Sequence, residues 1–360
     1  MLICSKTKKT RYPLLKIRIF FHKLFNWEYW PFQVVYVPIY FQWAFYALRE
    51  RHIFFFNACN PNIKNGGYLN ESKKDIYDQL PKEAYPTTIL VSPDADFESC
   101  NAERERNNIV FPCIAKPDMG LRGSAVVKLE NAEQWLNYHQ QADFKYILQN
   151  LIPYSSEVGI FYVRLPGQEN GRITGIVGKE FMTVVGDGKS TIEQLLLKNL
   201  RFAMQLSAIK RQGAINLHEV LEVGKSKIIV PFGNHARGSK FYDYSDWITT
   251  EMCLGIEKYV KQMPDFYFGR IDVMFKSKAD LQAGKNFMFV EVNGAGSEPT
   301  HIYDPKHGIF FAWNELCRHF AYMYRISRMN HKRGFRYLTF REGMAELRMH
   351  NKLNQTIQNF

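Results

Sequence analysis

Two short segments near residue 270 constrain the fold of this chain more than any other part of its sequence. Residues 269–273 read Gly-Arg-Ile-Asp-Val, and residues 289–294 read Phe-Val-Glu-Val-Asn-Gly. Both alternate β-branched or aromatic residues with polar ones, and this pattern predicts strands. Successive side chains of a strand point to opposite faces, so the two polar residues of each segment should share one face.

The polar side chains would meet if the polar stretch 276–285 folded the two strands into an antiparallel pair. The alternative is a solvated polar hairpin, which the intervening valines and isoleucine disfavour because they would bury the other face. Mg²⁺ prefers oxygen ligands and shares them with substrate phosphates. The sequence therefore predicts a magnesium site at Asp272, Glu291 and Asn293. Arg270 would lie beside it and stabilise charge on a phosphoryl group or an oxyanion.

These motifs resemble the ATP-grasp superfamily of carboxylate-amine ligases. The Gly-Arg-Ile-Asp-Val and Glu-Val-Asn segments are similar to the metal-binding end of D-alanyl-D-alanine ligase, and a Gly-Asp-Gly turn at 186–188 resembles cyanophycin synthetase. The likeness covers about residues 70–315. It implies an α+β, two-lobed ATP-grasp fold that holds a nucleotide between its lobes, preceded by a helical, aromatic-rich amino-terminal extension.

A lysine and a glycine-containing loop form the predicted phosphate site. Residues 111–117 read as an apolar strand that ends near Lys116, and residues 118–124 read as a loop. Glycine lets a backbone approach phosphate closely, and lysine supplies a point charge. The resemblance implies that Lys116 contacts the phosphates of ATP and that the loop closes over them through Gly120, Gly123 and Ser124.

The remaining nucleotide contacts come from the resemblance alone. Residues 146–152 are similar to the hinge between the lobes, where Gln149 and Ile152 would read adenine. Glu157 stands at the place of a ribose-binding glutamate, although the spacing from Gln149 is about one residue longer than in D-alanyl-D-alanine ligase. An ordinary edge strand followed by a surface glutamate remains the alternative.

Two basic segments provide further candidates. Lys73 begins a short predicted helix and would direct its ammonium group at the phosphates, with Lys74 a close rival. Residues 231–240 form a basic loop by composition. The resemblance implies that this loop covers the triphosphate, with Arg237 as a catalytic residue and Asn234 as a substrate contact. For each basic residue, a solvated side chain is the alternative.

Residues 295–305 follow the predicted metal ligands directly. In this segment, His301 and Asp304 could orient a substrate carboxylate or accept a proton from an amine, although a structural histidine is equally open. The segment departs from the D-alanyl-D-alanine pattern, so we do not transfer that substrate. Elsewhere, Ser190 and Glu193 have the spacing of a capping box, which predicts a helix start with a structural role.

Length and composition suit a multidomain enzyme. The chain has 360 residues, of which 46% are hydrophobic, and this allows two to three domains. Its six cysteines form no Cys-x-x-Cys pair, which favours reduced thiols in the cytoplasm. The predicted regions are a basic aromatic segment (1–56), a short pre-core region (57–110), an ATP-grasp core (111–320, with lobes at about 111–150 and 151–320) and a basic helical tail (321–360).

The net charge of +12 is concentrated at the two ends of the chain. Residues 1–56 hold nine basic and two acidic residues, and residues 325–360 hold eight and two. The uncharged stretch 31–48 is shorter than the ~20 residues of a spanning helix and is rich in Trp and Tyr, which suit a membrane interface. We therefore expect residues 11–50 to lie on the anionic inner face of the cytoplasmic membrane. A helical cap, a dimer contact and a true span remain alternatives.

The sequence predicts a cytoplasmic, peripherally attached ATP-dependent ligase that joins a small-molecule carboxylate to an amine, or to a thiol, through an acyl phosphate. It would use ATP and Mg²⁺, with Mn²⁺ as a substitute, and could act on a cell-envelope precursor. Alternatives are an ATP-grasp small-molecule kinase, a non-catalytic nucleotide-binding protein and a membrane scaffold. No nucleic acid is expected, since no recognised binding module accompanies the basic ends. The acid, the amine and homodimer formation stay open.

Overall fold

The computed structural model describes residues 13–120, 123–213, 215–230 and 238–360. It divides into two compact units that alternate along the chain. The smaller unit contains the residues up to Val37 together with Lys179–Phe241 and Tyr303–Trp313, and the larger contains Pro38–Gly178, Tyr242–Ile302 and Asn314–Phe360. This division differs from the predicted linear order, because the amino-terminal segment is shared between the units.

The larger unit begins with α3 (Val37–Glu50) and α4 (Lys73–Tyr77), and it contains a four-stranded antiparallel sheet in the order β1-β4-β2-β3. Its strands are β1 (Thr88–Val91), β2 (Cys113–Pro117), β3 (Val127–Leu129) and β4 (Tyr146–Asn150), and its helices are α5 (Phe97–Arg106) and α6 (Ala132–Gln141). Trp135 of α6 is fully buried in the same core as Ala115 and Leu148, which anchors this helix to the sheet.

A second, five-stranded sheet has the order β11-β10-β5-β6-β9. The strands are β5 (Ser156–Val163), β6 (Arg172–Glu180), β9 (Lys240–Asp243), β10 (Phe268–Phe275) and β11 (Phe287–Asn293). Apolar groups cover both faces: Ile271 packs with residues of α9 (Thr250–Val260), and Phe161 packs in a cluster with Tyr324. Burial on both faces explains why most of β5 reads as a nearly continuous apolar run.

Two long helices end the chain, α11 (Ile309–Lys332) and α12 (Phe340–Asn359). Helix α11 continues through residue 320, where the sequence analysis placed a domain boundary. A capping box between Thr339 and Glu342 starts α12. The last turns of α12 reach the core of the four-stranded sheet, where Ile357 is 3% exposed and the ring of Phe360 contacts Tyr138.

The smaller unit combines short helices with a two-stranded sheet. Its elements are α1 (Pro13–Phe25), α2 (Phe32–Val35), β7 (Met182–Val185), α7 (Ile192–Lys198), α8 (Leu200–Gln212) and β8 (Ser226–Val230). The capping box of α7 is formed by Thr191 and Gln194, one residue beyond the predicted pair. Ser190 instead donates its hydroxyl to Asp187 (2.7 Å), because the carboxylate closes the preceding turn.

The aromatic amino-terminal segment is helical, as predicted. Pro38 lies in the first turn of α3, where proline is tolerated because its missing N–H would have no helical partner. Helix α3 packs Trp43 and Tyr46 against the apolar cluster that contains Phe161 and Tyr324, and it leaves Phe41 and Leu48 exposed. Among the helices of the described ranges, none is both long and apolar enough to span a membrane.

The overall architecture is therefore α+β, with a four-stranded sheet, a five-stranded sheet and a helical, aromatic amino-terminal segment, which confirms the predicted α+β class and the helical extension.

Candidate active site

The hairpin predicted around residue 280 is present. Strands β10 and β11 pair antiparallel, with Arg270 opposite Asn293 and Asp272 opposite Glu291. The connection contains α10 (Lys278–Gln282). Directly opposite residues on paired strands share a face, so all four polar side chains lie together on one face of the five-stranded sheet.

The Asp272 carboxylate is 3% exposed and is held by a two-pronged ion pair. Arg270 donates Nε to Oδ1 (3.0 Å) and Nη2 to Oδ2 (3.1 Å). Burial alone would lower the pKa of Arg270, but the charge and hydrogen bonds of Asp272 outweigh it and raise the pKa above its ordinary value. The guanidinium therefore stays charged beside the carboxylate.

A glycine that the sequence analysis missed makes room for this carboxylate. Gly159 of β5 lies opposite Asp272, and a Cβ there would come within 2.8 Å of both Asp272 Oδ1 and Val177 Cγ1. A glycine inside a strand often marks a close approach of this kind, so the signal was present in the sequence.

The Glu291 carboxylate is met by Lys73, whose Nζ lies 3.4 Å from Oε1. The same ammonium group donates to the backbone carbonyl of Gly120 at 3.4 Å. Lys74, the rival candidate, turns away and pairs with Asp78 (2.5 Å). The first turn of α4 thus points the two lysines in different directions. Only Lys73 joins Arg270, Asp272, Glu291 and Asn293, which together form the polar cluster.

Lys116 reaches from the four-stranded sheet to β11. It is 7% exposed, and its Nζ donates to Tyr77 Oη (3.2 Å) and to the Val290 carbonyl (3.1 Å). Tyr77 in turn donates its hydroxyl to the same carbonyl. Burial lowers the pKa of Lys116, and nearby carboxylates, Glu291 foremost, oppose that shift. The sequence analysis did not predict that Tyr77 contacts Lys116. The only signal in the sequence was the position of Tyr77 in α4, one helical turn after Lys73.

The predicted phosphate loop connects β2 to β3. Gly123 has a positive φ of 71° and lies in a turn that includes Ser124. At the start of the loop Asp118, 2% exposed, accepts a hydrogen bond from the Ser72 hydroxyl (3.0 Å) and another from a backbone N–H in α4 (2.9 Å). Asp118 therefore ties the loop to the helix that carries Lys73.

Residues 151–155 join the two sheets and overlap only the end of the hinge predicted at 146–152, most of which forms β4. Gln149 is buried and donates to the Thr88 hydroxyl at 2.7 Å, so its side-chain amide is already engaged within the sheet. The alternative of an edge strand is wrong, because β4 lies between β1 and β2. Ile152 is half-buried in the connection, and Glu157 lies on β5 opposite Met274.

Two other predicted substrate residues, His301 and Asp304, are buried. His301 is 3% exposed, packs over Gly175, and places Nε2 3.3 Å from Glu315 Oε2. Both contacts hold the imidazole of His301 within the protein core. Asp304 is also buried and accepts the backbone N–H of Lys306 (2.8 Å). Arg237 and Asn234 lie outside the described residues.

A pocket opens beside β11. It is lined by residues of the polar cluster, by the segment before α4, by the phosphate loop and by α12. Within the described ranges, the buried Nδ2 of Asn293 has no hydrogen-bond partner. The polar lining residues are Asn70, Glu71, Lys73, Glu291, Asn293, His350 and Asn354.

The donor set suits a magnesium ion. Asp272, Glu291 and Asn293 offer carboxylate and amide oxygens, which are the ligands that Mg²⁺ prefers. A carboxylate has about four acceptor positions, so Asp272 can serve both Arg270 and a cation. The described part of the chain contains no group of three or more His, Cys, Asp or Glu side chains that could hold a metal ion. The set of Asp272, Glu291 and Asn293 differs from such a group because its third member is an amide.

No protein-family model matches the chain, and no curated protein matches it. Among solved structures, it is similar to D-alanine–D-alanine ligase from Bacillus anthracis, with 12% identity over 75% of this chain and 70% of that one and a TM-score of 0.42. It is also similar to a bifunctional glutathione synthetase from Pasteurella multocida, with 12% identity over 73% of this chain and a TM-score of 0.40. This chain spans 38% of the length of that synthetase. A third similar structure is the VanG D-Ala:D-Ser ligase from Enterococcus faecalis, with 15% identity over 67% of this chain and 57% of that one and a TM-score of 0.36.

Proposed function

We propose that the protein is an ATP-dependent carboxylate-amine ligase of the ATP-grasp type. One observation carries the proposal: the opposed carboxylates Asp272 and Glu291 share a face with Arg270, and two further cations approach β11, where Lys73 pairs with Glu291 and Lys116 donates to the Val290 carbonyl. Buried or half-buried charges of both signs, concentrated beside a glycine-containing loop, suit a site for a metal-bound polyphosphate.

In this proposal Asp272, Glu291 and Asn293 hold Mg²⁺. When bound, the ion neutralises phosphate charge and orients the β- and γ-phosphates for transfer. The unpartnered Nδ2 of Asn293, within the described residues, fits an amide whose Oδ1 faces a cation. Mn²⁺ would serve as a substitute because it accepts the same oxygen ligands.

The chain's own cations would bind the phosphates and stabilise developing charge. Lys116 is pre-positioned by Tyr77 and a backbone carbonyl, and Lys73 lies against the loop at Gly120. Arg270 is fixed in orientation by Asp272 and would stabilise the oxyanion that forms during amide synthesis. Arg237 remains a second candidate for that role.

The proposed reaction has two steps. A substrate carboxylate oxygen attacks the γ-phosphorus of ATP and forms an acyl phosphate. The bond between the γ-phosphorus and the β–γ bridging oxygen breaks, and ADP is the leaving group. The nitrogen of an amine then attacks the acyl carbon, inorganic phosphate leaves with the bond electrons, and the amine loses a proton. Positioning and electrostatics carry the rate in this scheme, since no residue bonds covalently to the substrate.

Hydroxylamine trapping tests this proposal. Purified protein is incubated with ATP, Mg²⁺, hydroxylamine and pools of carboxylic acids, and hydroxamate and ADP are measured together. Hydroxamate that depends on one acid would support the acyl phosphate. ADP without hydroxamate would favour the kinase alternative, and no ADP with any pool would favour a non-catalytic nucleotide-binding protein.

We further propose that α1 attaches the protein to an anionic membrane, where the substrate could be a cell-envelope precursor. Three residues, Leu15, Ile19 and His22, form the partly buried face of this helix. The opposite face is apolar yet exposed, and its members are Leu14, Ile17, Phe20, Phe21, Leu24 and Phe25.

Basic residues flank the exposed face of α1. At 100° per residue, Arg18 lies on one side of it and Lys16 and Lys23 lie on the other. An apolar stripe bordered by cations is the pattern of a helix that lies in the plane of an anionic lipid surface. Each basic residue near such a surface contributes about 1 kcal/mol to binding.

A further inference from the structure

We propose that the pocket beside β11 binds the amino group of the second substrate, and that Glu71 and α12 recognise it. The inference rests on the proposed ligase function and extends it to the amine site. It assigns a binding role to Glu71, His350 and Asn354, which the sequence analysis did not single out.

The position of the pocket supports this assignment. Its lining includes Lys73, Glu291 and Asn293, which belong to the proposed phosphate and metal cluster, and Gly120 of the phosphate loop. A group bound in the pocket would therefore lie next to the place where an acyl phosphate forms. Proximity of this kind is what amide synthesis from two bound substrates requires.

The charges of the lining favour an ammonium group. Lys73 is paired with Glu291 at 3.4 Å. Within the described residues, Glu71 makes no ion pair, yet it lies in the same pocket. Burial raises the pKa of Glu71; Glu291 adds to the rise, and the ammonium group of Lys73 opposes it without cancelling it. A ligand cation would favour the charged form of Glu71, because it would place a further opposite charge beside a half-buried carboxylate.

Helix α12 holds its polar residues against the pocket in a fixed orientation. Asn70 donates its amide to Glu346 Oε2 (2.8 Å) and to the Glu346 carbonyl (3.0 Å), so its Oδ1 is left as an acceptor. His350 Nδ1 lies 3.2 Å from that oxygen and must therefore donate to it. In the neutral imidazole, Nε2 is then an acceptor for a ligand N–H. Asn354, one turn further along α12, adds another amide to the same wall.

Glu71, His350 and Asn354 thus surround one small volume with acceptors. The buried Nδ2 of Asn293, which lacks a partner among the described residues, provides a donor at the same place. A small polar molecule with a primary ammonium group and a neighbouring oxygen would satisfy both kinds of group. The structure therefore favours an amino acid or an amino alcohol over a purely apolar amine.

Competition against hydroxylamine tests the inference. Hydroxylamine is largely uncharged at neutral pH and traps the acyl phosphate without an ammonium group. Alanine, glucosamine and ethanolamine serve as probe amines that suppress hydroxamate if they occupy the pocket. The measured quantity is the amine concentration that halves hydroxamate formation, and the rate without amine reports the first step separately.

We expect Glu71→Gln to raise that concentration by about tenfold or more, because a charge-assisted hydrogen bond is lost. Asn354→Leu should raise it as well. The matched controls make the same changes at exposed positions. Glu83→Gln replaces an exposed carboxylate by a carboxamide, and Gln355→Leu replaces an exposed amide of α12. Thermal unfolding of each variant shows whether it is folded.

The outcomes separate the inference from the proposed function. If the wild type forms no hydroxamate, the ligase proposal fails and this inference fails with it. If hydroxamate forms and the probe amines suppress it equally in the wild type and in both pocket variants, only the inference is overturned. An absence of suppression by any probe amine in the wild type would also overturn it.

Discussion

Asp272 stands directly opposite Glu291 across β10 and β11, and a different cation meets each carboxylate. Arg270 comes from the same strand as Asp272, whereas Lys73 comes from α4. Like charges at opposite positions of paired strands repel each other. The pair is therefore compatible with the fold only while positive groups surround it, which makes it a natural place for a divalent ion.

Removing one charge of this pair should abolish most catalysis but not folding. We expect Asp272→Asn to lower ADP formation by about 100-fold or more, because the proposed metal loses a carboxylate ligand. The free energy of unfolding should fall by about 1–3 kcal/mol, since Arg270 keeps an amide oxygen as partner. A coupled ADP assay and thermal unfolding measure the two effects. Asp246→Asn, at an exposed position, is the control, and normal turnover in Asp272→Asn would remove the magnesium assignment.

The two neighbouring lysines of α4 offer a matched comparison. Lys73→Ala should raise the KM for ATP by about tenfold or more, because a cation at the phosphate loop is lost. Lys74→Ala should change it little, since the pair with Asp78 lies at the surface and such pairs contribute about 0–1 kcal/mol. Steady-state kinetics with varied ATP measure both. Equal effects of the two substitutions would contradict the placement of Lys73.

Gly159 should tolerate no side chain. In Gly159→Ala, the added methyl would press on Asp272 Oδ1 and Val177 Cγ1, so we expect a loss of about 1–3 kcal/mol in the free energy of unfolding and a fall in ATP turnover. Gly308→Ala is the control, because none of the described atoms lies within 4 Å of its added Cβ; its effect should stay within about 0.5 kcal/mol. Denaturant unfolding decides the matter, and equal stability of both variants would argue against the close packing.

The exposed face of α1 should govern lipid binding. We expect the wild type to sediment with phosphatidylcholine vesicles that contain an anionic phospholipid, and less so at high salt. Phe20→Asp combined with Leu24→Asp should abolish this, because charges would enter the apolar stripe. The control carries the same change at two other exposed apolar residues, Val223 and Leu254. Undiminished sedimentation of the α1 variant would contradict membrane attachment through this helix.

Stability should fall in acid through His319. Burial lowers the pKa of His319 from 6.5 to about 4, so between these values the unfolded chain binds a proton that the folded chain does not. The free energy of unfolding should therefore decrease by about 3 kcal/mol as the pH falls from 7 to 4. The groups that face the imidazole are Glu315, Arg318, His301 and Thr174.

The contribution of His319 is obtained by difference. In His319→Gln the pH dependence between 7 and 4 should be shallower by that amount, while the part due to the lowered pKa of Glu315 remains. Urea unfolding at several pH values measures it. Parallel pH profiles of the two proteins would show that His319 is not responsible.

Local sequence pattern was enough to predict β10, β11 and the face that their polar residues share. The alternation of residues around Arg270 and Glu291 determined both the strands and the shared face, because the period of a strand leaves no freedom in which side chains point together. The choice of Lys73 over Lys74 had no such basis in the sequence. It was decided by the first turn of α4, which Asp118 holds against the phosphate loop.

Contacts between distant segments could not be predicted. Nothing in the sequence around His350 indicates that it faces a pocket lined by Glu71, since these residues come together only through the packing of α12. The burial of His301 over Gly175 could not be predicted for the same reason, because it depends on how α11, which carries Glu315, covers the five-stranded sheet. Tertiary packing, more than local preference, determines these positions.

Helix α12 also sets a limit on how the two sheets can separate. Its first half packs Met344 and Leu347 against the cluster that covers the five-stranded sheet, and its last turn buries Ile357 in the core of the four-stranded sheet. A helix is a rigid rod that does not lengthen under load, so α12 acts as a strut between the sheets. In the proposed ligase, any opening wide enough to exchange a nucleotide must either pivot about this rod or release one of its ends.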